Sequence, residues 1–259
     1  MSRASEYPIQ VMAVADAEVR KLWHDPMELF TRAIQPVLWL LLFGEVMGRV
    51  RDLNTNGLPY IDFLAPGVLA QSVLFIAIFY GISAIWERDM GVLQRYLVSP
   101  APRSALVLGK ALTSAIRALS QAVVVYLISL AIGITLTFEP MHLLAMVSMV
   151  ALGAGVFATF SLVIACIVRT RERFMGMSQV LTMPVFFASN AIYPLDLMPN
   201  WLWIVARLNP LTYEVDALRE LMLRDGTAAI GIGTDFAVLF CTLVVLVAIA
   251  SLLYPRMGR

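Results

Sequence analysis

Six long apolar stretches recur along the chain, separated by short polar segments. They lie at residues 34–46, 61–85, 105–135, 141–168, 174–193 and 232–254. A helix needs about 20 apolar residues to cross the hydrocarbon core of a bilayer, which is about 30 Å thick. The pattern therefore predicts an all-α integral membrane protein with six transmembrane helices, built as a single membrane domain over residues 1–259.

The N-terminal segment, residues 8–25, has a different pattern. Its apolar residues recur at spacings of three and four, with charged residues between them. This periodicity predicts an amphipathic helix that lies in the cytoplasmic interface of the membrane. Packing of the same helix on a soluble partner is the alternative. Asp25-Pro26 resembles an N-cap followed by proline at the first helical position, so span one is expected to begin there.

Two further segments are interrupted by proline. Ala65-Pro66-Gly67 opens span two and is expected to bend or locally unwind it, because proline removes a backbone donor. Residues 195–231 are apolar but are divided into pieces too short to span a membrane. Trp201 and Trp203 within this segment are typical of membrane interfaces. We therefore predict short re-entrant helices in the outer leaflet between spans five and six.

The distribution of basic residues predicts the orientation. With six spans, thirteen Lys and Arg residues fall on one side and five on the other, and Arg117 lies within a span. Positive charge stays cytoplasmic, so both termini are expected inside the cell. The five basic residues assigned to the outer side are Arg49, Arg51, Arg207, Arg219 and Arg224.

Composition narrows the possible functions. Hydrophobic residues make up 60% of the chain and charged residues 14%, against about 25% charged in soluble domains. With a net charge of +1 and no long basic tract, no nucleic-acid partner is expected. The sequence has no GxxxxGK[ST], HExxH or GxSxG motif, and Cys166 and Cys241 both lie in apolar runs. We therefore expect no catalytic residues, no metal site and no disulfide in this chain.

Polar residues inside or beside the predicted spans are candidates for a translocation path. Each of them also has the alternative role of a hydrogen bond between helices, worth about 0.6 kcal/mol. Arg117 is either a side chain that reaches back to the cytoplasmic interface or one that faces a cavity. The candidates are Gln35, Gln71, Ser72, Arg117, Gln121, Asn190 and Tyr193.

The cytoplasmic segment 86–103 is the strongest functional candidate. Met90, Leu93 and Leu97 recur at helical spacing, and charged residues flank them. A short amphipathic helix between two spans can dock into a groove of a soluble partner. A solvated connecting loop is the alternative.

These motifs resemble the membrane subunits of ATP-binding-cassette type-2 exporters, the group that holds drug-resistance and nodulation-factor permeases. The matching stretches are Tyr60 to Gly67, Glu87 to Pro102, Gly109-Lys110, Tyr193-Pro194-Leu195, Asn209 to Tyr213 and Ala217-Leu218-Arg219.

The resemblance implies a permease that works as two membrane subunits, expected to be a homodimer, with two ATPase subunits that bind ATP and Mg. The residues expected to couple to the ATPase are Glu87, Arg88, Asp89, Gly91, Leu93, Arg95 and Leu97. The residues expected at an outer gate are Pro194, Trp201, Trp203, Asn209 and Pro210.

The resulting hypothesis is an ATP-driven exporter subunit in a bacterial cell membrane, in contact with membrane lipids, that moves a drug, lipid or glycolipid outward. Two other classes stay open at this stage. The chain is otherwise a membrane anchor for a soluble partner, or an ATP-independent channel. Co-purification of an ATPase whose turnover responds to cargo distinguishes the exporter from both.

Overall fold

A computed structural model describes residues 26–49, 57–91, 103–168 and 170–254. The predicted interfacial helix 8–25 and the coupling candidates Leu93, Arg95 and Leu97 lie outside these ranges. The described residues form helices and connecting turns, with one isolated antiparallel bridge between Leu136 and Leu223. The helices, in chain order, are α1 Pro26–Leu38, a π-helical segment Trp39–Gly44, α2 Glu45–Gly48, α3 Tyr60–Asp89, α4 Arg103–Ile132, α5 Pro140–Ile167, α6 Arg171–Phe187, a 3₁₀ turn Leu195–Leu197, α7 Asn200–Leu208, α8 Pro210–Met222 and α9 Ile232–Leu253.

Four of the described helices are long and apolar enough to cross a membrane: α3, α4, α5 and α9. At 1.5 Å per residue, the 22 residues of α9 extend about 33 Å, and the 30 residues of α3 extend about 45 Å. Exposed leucines, valines and phenylalanines cover their outer faces, as expected of surfaces in contact with lipid. The predicted all-helical membrane architecture is therefore confirmed at this level.

The other two predicted spans are shorter than the four long helices, and span five is also shorter than the sequence pattern indicated. Helix α6 ends at Phe187, six residues before the apolar run does, and its 17 residues extend about 26 Å. The chain turns there because Pro184 lies in the last turn and the backbone leaves the helical conformation at Ala188. The first apolar helix covers Ala33–Gly48 and includes the π-helical segment, which begins three residues after Pro36.

Helix α5 is the centre of the bundle and packs against α3, α4, α8 and α9. Glycine permits the closest approaches. At Gly81 of α3, a Cβ would overlap the Ser161 side chain of α5, and the Ser161 hydroxyl donates a hydrogen bond to the Ile78 carbonyl. Gly153 in the small-residue patch of α5 leaves room for the carboxyl group of Glu214. Gly153 is therefore a point of close packing between α5 and α8.

Helix α3 differs from the sequence expectation at two places. It is continuous through Pro66, so of the two expected outcomes, a bend or local unwinding, the unwinding does not occur. The same helix also continues through Glu87, Arg88 and Asp89, which were assigned to a separate segment that begins at residue 86. It ends at Asp89 with Met90 as the C-cap, and Gly91 follows with φ +70°, a conformation that glycine adopts without strain.

Helix α8 is buried along almost its whole length, between α3, α5 and α9. Its start is fixed by Asn209, whose side chain accepts a hydrogen bond from the Leu211 amide, and by Pro210 at the first helical position. The preceding helix α7 is instead largely exposed, including Trp201 and Leu208. The segment 195–231 thus contains one exposed and one buried short helix, preceded by the 3₁₀ turn.

Candidate functional site

Charged and polar side chains gather at the two ends of α3. About 39 Å of helix separates Phe63 from Asp89 at the standard rise per residue. We call the group at the C-terminal end the Asp89 cluster; it consists of Trp86, Glu87, Arg88, Asp89, Lys110 and Arg171. We call the group at the N-terminal end the Asp216 cluster; it consists of Phe63, Asn190, Asp216 and Arg219.

The Asp89 cluster connects α3 to two neighbouring helices. Lys110 of α4 donates to Glu87 at 2.6 Å, and Arg171 at the start of α6 pairs with Asp89 at 2.9 Å. Arg171 also lies over the Trp86 ring, 3.8 Å from its centroid. The paired side chains are between 13% and 36% exposed, so water still reaches each pair. Three helix ends are therefore joined by charged contacts that can be broken and remade.

Arg88 completes this cluster from within α3. Its guanidinium contacts Asp89 at 3.0 Å, so two arginines share one carboxylate. The family resemblance places Glu87, Arg88, Asp89 and Gly91 at the junction with an ATPase. The structure places these four at the end of α3, but it does not test the role assigned to them.

The Asp216 cluster has a different construction. The Asp216 carboxylate is fully buried and accepts hydrogen bonds from the Ile230 amide at 2.7 Å, the Ala229 amide at 3.1 Å and Asn190 Nδ2 at 3.4 Å. Arg219 approaches it at 4.0 Å. Backbone amides thus supply the shortest contacts, and the carboxylate fixes the turn before α9 to the middle of α8.

Arg219 connects α8 to two other elements. Its guanidinium donates to the Asn190 carbonyl at 2.9 Å and lies 3.9 Å from the centre of the Phe63 ring. Burial lowers the pKa of Arg219 to about 10, and Asp216 counteracts part of that effect. The side chain is only 6% exposed, so Arg219 is a buried charge within the segment that the sequence assigned to the outer side.

Glu214 lies on another face of α8, against Gly153 of α5. Neither carboxylate oxygen has a hydrogen-bond partner among the described residues, and the side chain is fully buried. Burial raises its pKa well above the ordinary value. Because α8 lies outside the four candidate spans, this is a buried acid on a short helix, and burial favours its protonated form.

The predicted path residues differ in their exposure. Gln71, Ser72, Gln121 and Asn190 are buried, whereas Gln35 is exposed. The Ser72 hydroxyl donates to the Val68 carbonyl one turn earlier in its own helix. A continuous path through these positions therefore stays a prediction.

The remaining two path candidates make contacts of their own. Arg117 lies 5.8 Å from the centre of the Tyr80 ring, which brings α4 to α3. The Tyr193 hydroxyl donates to the Phe187 carbonyl and so folds the end of α6 back on itself.

The predicted gate residues divide into two groups. Trp201 and Trp203 are 68% and 41% exposed on α7, as expected of interface anchors. Asn209 is buried, and its Nδ2 donates to the carbonyls of Val185 and Ala188 at the end of α6. Pro194 and Pro210 mark the chain turns before α7 and at the start of α8.

Sequence reasoning missed most of the buried polar residues at this end of the bundle. Asp62 accepts a 2.6 Å hydrogen bond from the Thr135 hydroxyl, a pairing that no sequence pattern predicted. Asp216 and Glu214 were passed over because charged residues on a short amphipathic helix normally face water. The only available signal was the family motif, which includes Arg219.

The chain belongs to the ABC-2 type transporter family, whose profile matches residues 9–223. It is 31% identical to a putative transport permease, ycf38, of Cyanophora paradoxa over 76% of this chain and 68% of the relative. A daunorubicin resistance ABC transporter permease of Streptomyces coeruleorubidus is 26% identical over 99% of this chain and 90% of its own length. Nodulation protein J of Rhizobium meliloti is 25% identical over 85% and 83%.

Membership of this family has two direct consequences for the chain. The chain is a transport permease located in a membrane, which agrees with its four long apolar helices. The family implies a separate ABC ATPase as its partner. The relatives are permeases, the membrane components of transporters.

Proposed function

We propose that this chain is the membrane subunit of an ATP-driven exporter that moves a hydrophobic or amphiphilic substrate out of the cytoplasm or the inner leaflet. The relatives named for daunorubicin resistance and nodulation support an amphiphilic cargo such as a drug, lipid or glycolipid. The apolar composition of the described helices favours such a cargo over a small ion.

The Asp89 cluster is the observation that carries the proposal. It joins the ends of α3, α4 and α6 through charged pairs at one end of the bundle. A force applied to this end by a soluble partner would reach three helices together. Partly exposed ion pairs can exchange partners at small cost, as a moving junction requires.

The complete transporter would contain two copies of this chain and two ATPase subunits, with ATP and Mg bound to the ATPases. Each copy would cross a bacterial cell membrane six times, with both termini and the Asp89 cluster in the cytoplasm. The four long helices would be joined by the shorter Ala33–Gly48 and α6 as spans one and five. Helices α7 and α8 would form the re-entrant pair of the outer leaflet.

A charge-swap experiment tests the proposed coupling. The chain is purified with the ABC ATPase that accompanies it, and cargo-stimulated ATP hydrolysis is measured in proteoliposomes. Asp89→Arg and Arg171→Asp should each lose most of the stimulation, and the double variant should regain part of it because the pair is restored with reversed charges. Glu139→Arg, an exposed change at the other end of the bundle, is the matched control.

Assembly must be measured in the same samples. If the single variants assemble fully with the ATPase and retain wild-type stimulation, the Asp89 cluster has no part in coupling. If the chain moves solute without any ATPase, the exporter proposal itself is wrong.

A further inference from the structure

A small polar pocket lies between α8, the turn after α6 and the exposed helix α7. Its volume is about 120 Å³. Asp216, Arg219 and Asn190 form its buried wall, and Asp196, Asp225 and Arg207 contribute its more exposed charges. Trp203 of α7 lies at its edge. The pocket therefore presents carboxylates and guanidinium groups to the same space.

Two buried polar atoms on the pocket wall lack partners among the described residues. They are Asn190 Oδ1, an acceptor, and Arg219 Nε, a donor, on side chains that are 1% and 6% exposed. Buried polar atoms without partners are costly, and such atoms in native structures usually bind a ligand or water. The wall thus offers both a hydrogen-bond acceptor and a charged donor to whatever fills the pocket.

The outer charges are also available. No hydrogen bond or ion pair within the described ranges involves the carboxylates of Asp196 or Asp225. Arg207 lies 5.0 Å from the centre of the Trp203 ring, where its guanidinium still borders the pocket. A ligand with a single charge would meet both attraction and repulsion here, whereas a zwitterion can match both signs.

Helix α7 shows where such a ligand would come from. Next to the pocket it exposes Trp201, Ile204, Val205 and Leu208, the last of them 80% exposed. Exposed tryptophans with aliphatic neighbours are typical of a surface at the level of lipid headgroups. A lipid whose chains lie along α7 would bring its headgroup to the pocket.

We infer that this pocket binds the headgroup of a zwitterionic phospholipid that carries a primary ammonium, as phosphatidylethanolamine does. The phosphate would be held by Arg207 and Arg219 Nε, and the ammonium by Asp196, Asp225 and Asn190 Oδ1. A primary ammonium has three N–H donors for these oxygens, but a choline group has none. The inference does not depend on the proposed transport cycle, because binding is measured without ATP or cargo.

The test uses the full chain in nanodiscs that contain equal amounts of phosphatidylethanolamine, phosphatidylcholine and phosphatidylglycerol. The protein is released into mild detergent, and the retained lipids are counted by native mass spectrometry. We expect phosphatidylethanolamine to be retained roughly tenfold over phosphatidylcholine, as the loss of a charge-assisted hydrogen bond implies. Equal retention of these two lipids, or a preference for phosphatidylglycerol, would overturn the inference.

Variants on the pocket rim separate this site from general lipid contact. Asp196→Asn with Asp225→Asn should abolish the preference for the ethanolamine lipid, and Arg207→Gln should lower retention of that lipid. These positions are exposed, so the fold should be preserved. Glu139→Gln and Arg49→Gln remove exposed charges elsewhere and should change nothing. Unchanged selectivity in the rim variants would contradict the assignment.

Soluble O-phosphoethanolamine distinguishes a lipid from a free zwitterion. If the pocket takes a lipid, the free compound should compete roughly tenfold or more weakly than the lipid, since it lacks the chains that contact α7. Competition at the same concentration as the lipid would mean that the site serves a soluble ligand, and would overturn the lipid assignment.

Discussion

The two ends of α3 carry similar residue types but hold them in opposite ways. In the Asp89 cluster, side chains pair with side chains from other helices and remain partly exposed. In the Asp216 cluster, a buried carboxylate is held mainly by backbone amides, and the nearest arginine is 4.0 Å away. The comparison shows how one bundle combines an end whose contacts can rearrange with an end whose contacts are fixed by the main chain.

The largest effect is expected from Asp216→Ala. It leaves Arg219 buried without its carboxylate and removes the acceptor of two amides, so we expect a loss of about 3–5 kcal/mol. The melting temperature of the purified chain should fall sharply. Asp225→Ala, an exposed change on the following turn, is the control and should have little effect. Equal melting temperatures of the two variants would show that the Asp216 contacts do not hold this end of the bundle.

Gly67→Ala tests the close contact between α3 and the turn after α6. A Cβ at Gly67 would overlap the carbonyl oxygen of Ala191, and backbone cannot move aside as a side-chain tip can. We expect a loss of about 1–3 kcal/mol, typical of overpacking. Gly176→Ala on α6 meets no atom within 4 Å and serves as the matched control. Equal stability of the two variants would show that this contact is loose.

Glu214→Gln tests whether the buried acid is neutral. Burial raises the pKa of Glu214 in the folded protein, so folding favours the protonated carboxyl. The free energy of unfolding therefore falls as the pH rises above the pKa that Glu214 has in the unfolded chain. Wild type should therefore lose up to about 1.4 kcal/mol per pH unit across that range relative to Glu214→Gln, which cannot ionise. Thermal melts between pH 4 and pH 8 would show this difference. Parallel curves would mean that Glu214 has a partner that the described contacts do not include.

The smallest effect on stability is expected at the Asp89 end. Asp89→Asn removes pairs that water already screens, so its melting temperature should change less than that of either variant above. Raising the salt concentration should remove what difference remains. Melting curves at low and high salt check this. A large loss of stability that does not depend on salt would mean that the contacts of the Asp89 cluster are as fixed as those of the Asp216 cluster.

Much of the fold followed from hydrophobic periodicity, but the buried cluster did not. The long apolar runs predicted the four candidate spans because the length of an apolar run can be read from consecutive residues. The length of span five was overestimated because the apolar residues after Phe187 pack in a turn against α3 and α8. Apolar character alone does not distinguish a buried turn from the continuation of a helix. Helix α8 has an amphipathic pattern, yet both of its faces are buried. Only tertiary contacts show that Asp216 faces backbone amides and that Glu214 faces Gly153.

The candidate site was predicted unevenly for the same reason. Glu87, Arg88 and Asp89 were identified from their position between two spans, but their partners Lys110 and Arg171 are distant in sequence. Asn190 was expected on a translocation path, and its amide donates to Asp216. Pairings across helices are not encoded in local spacing, so sequence patterns predicted the residues but not their contacts.

Reconstituted transport tests the central claim most directly. The purified chain is placed in proteoliposomes with a fluorescent amphiphile, with and without its ABC ATPase and with and without ATP. We predict no movement by the chain alone and ATP-dependent movement when the ATPase is present. Equal movement of the amphiphile by the chain alone, without nucleotide, would contradict the account.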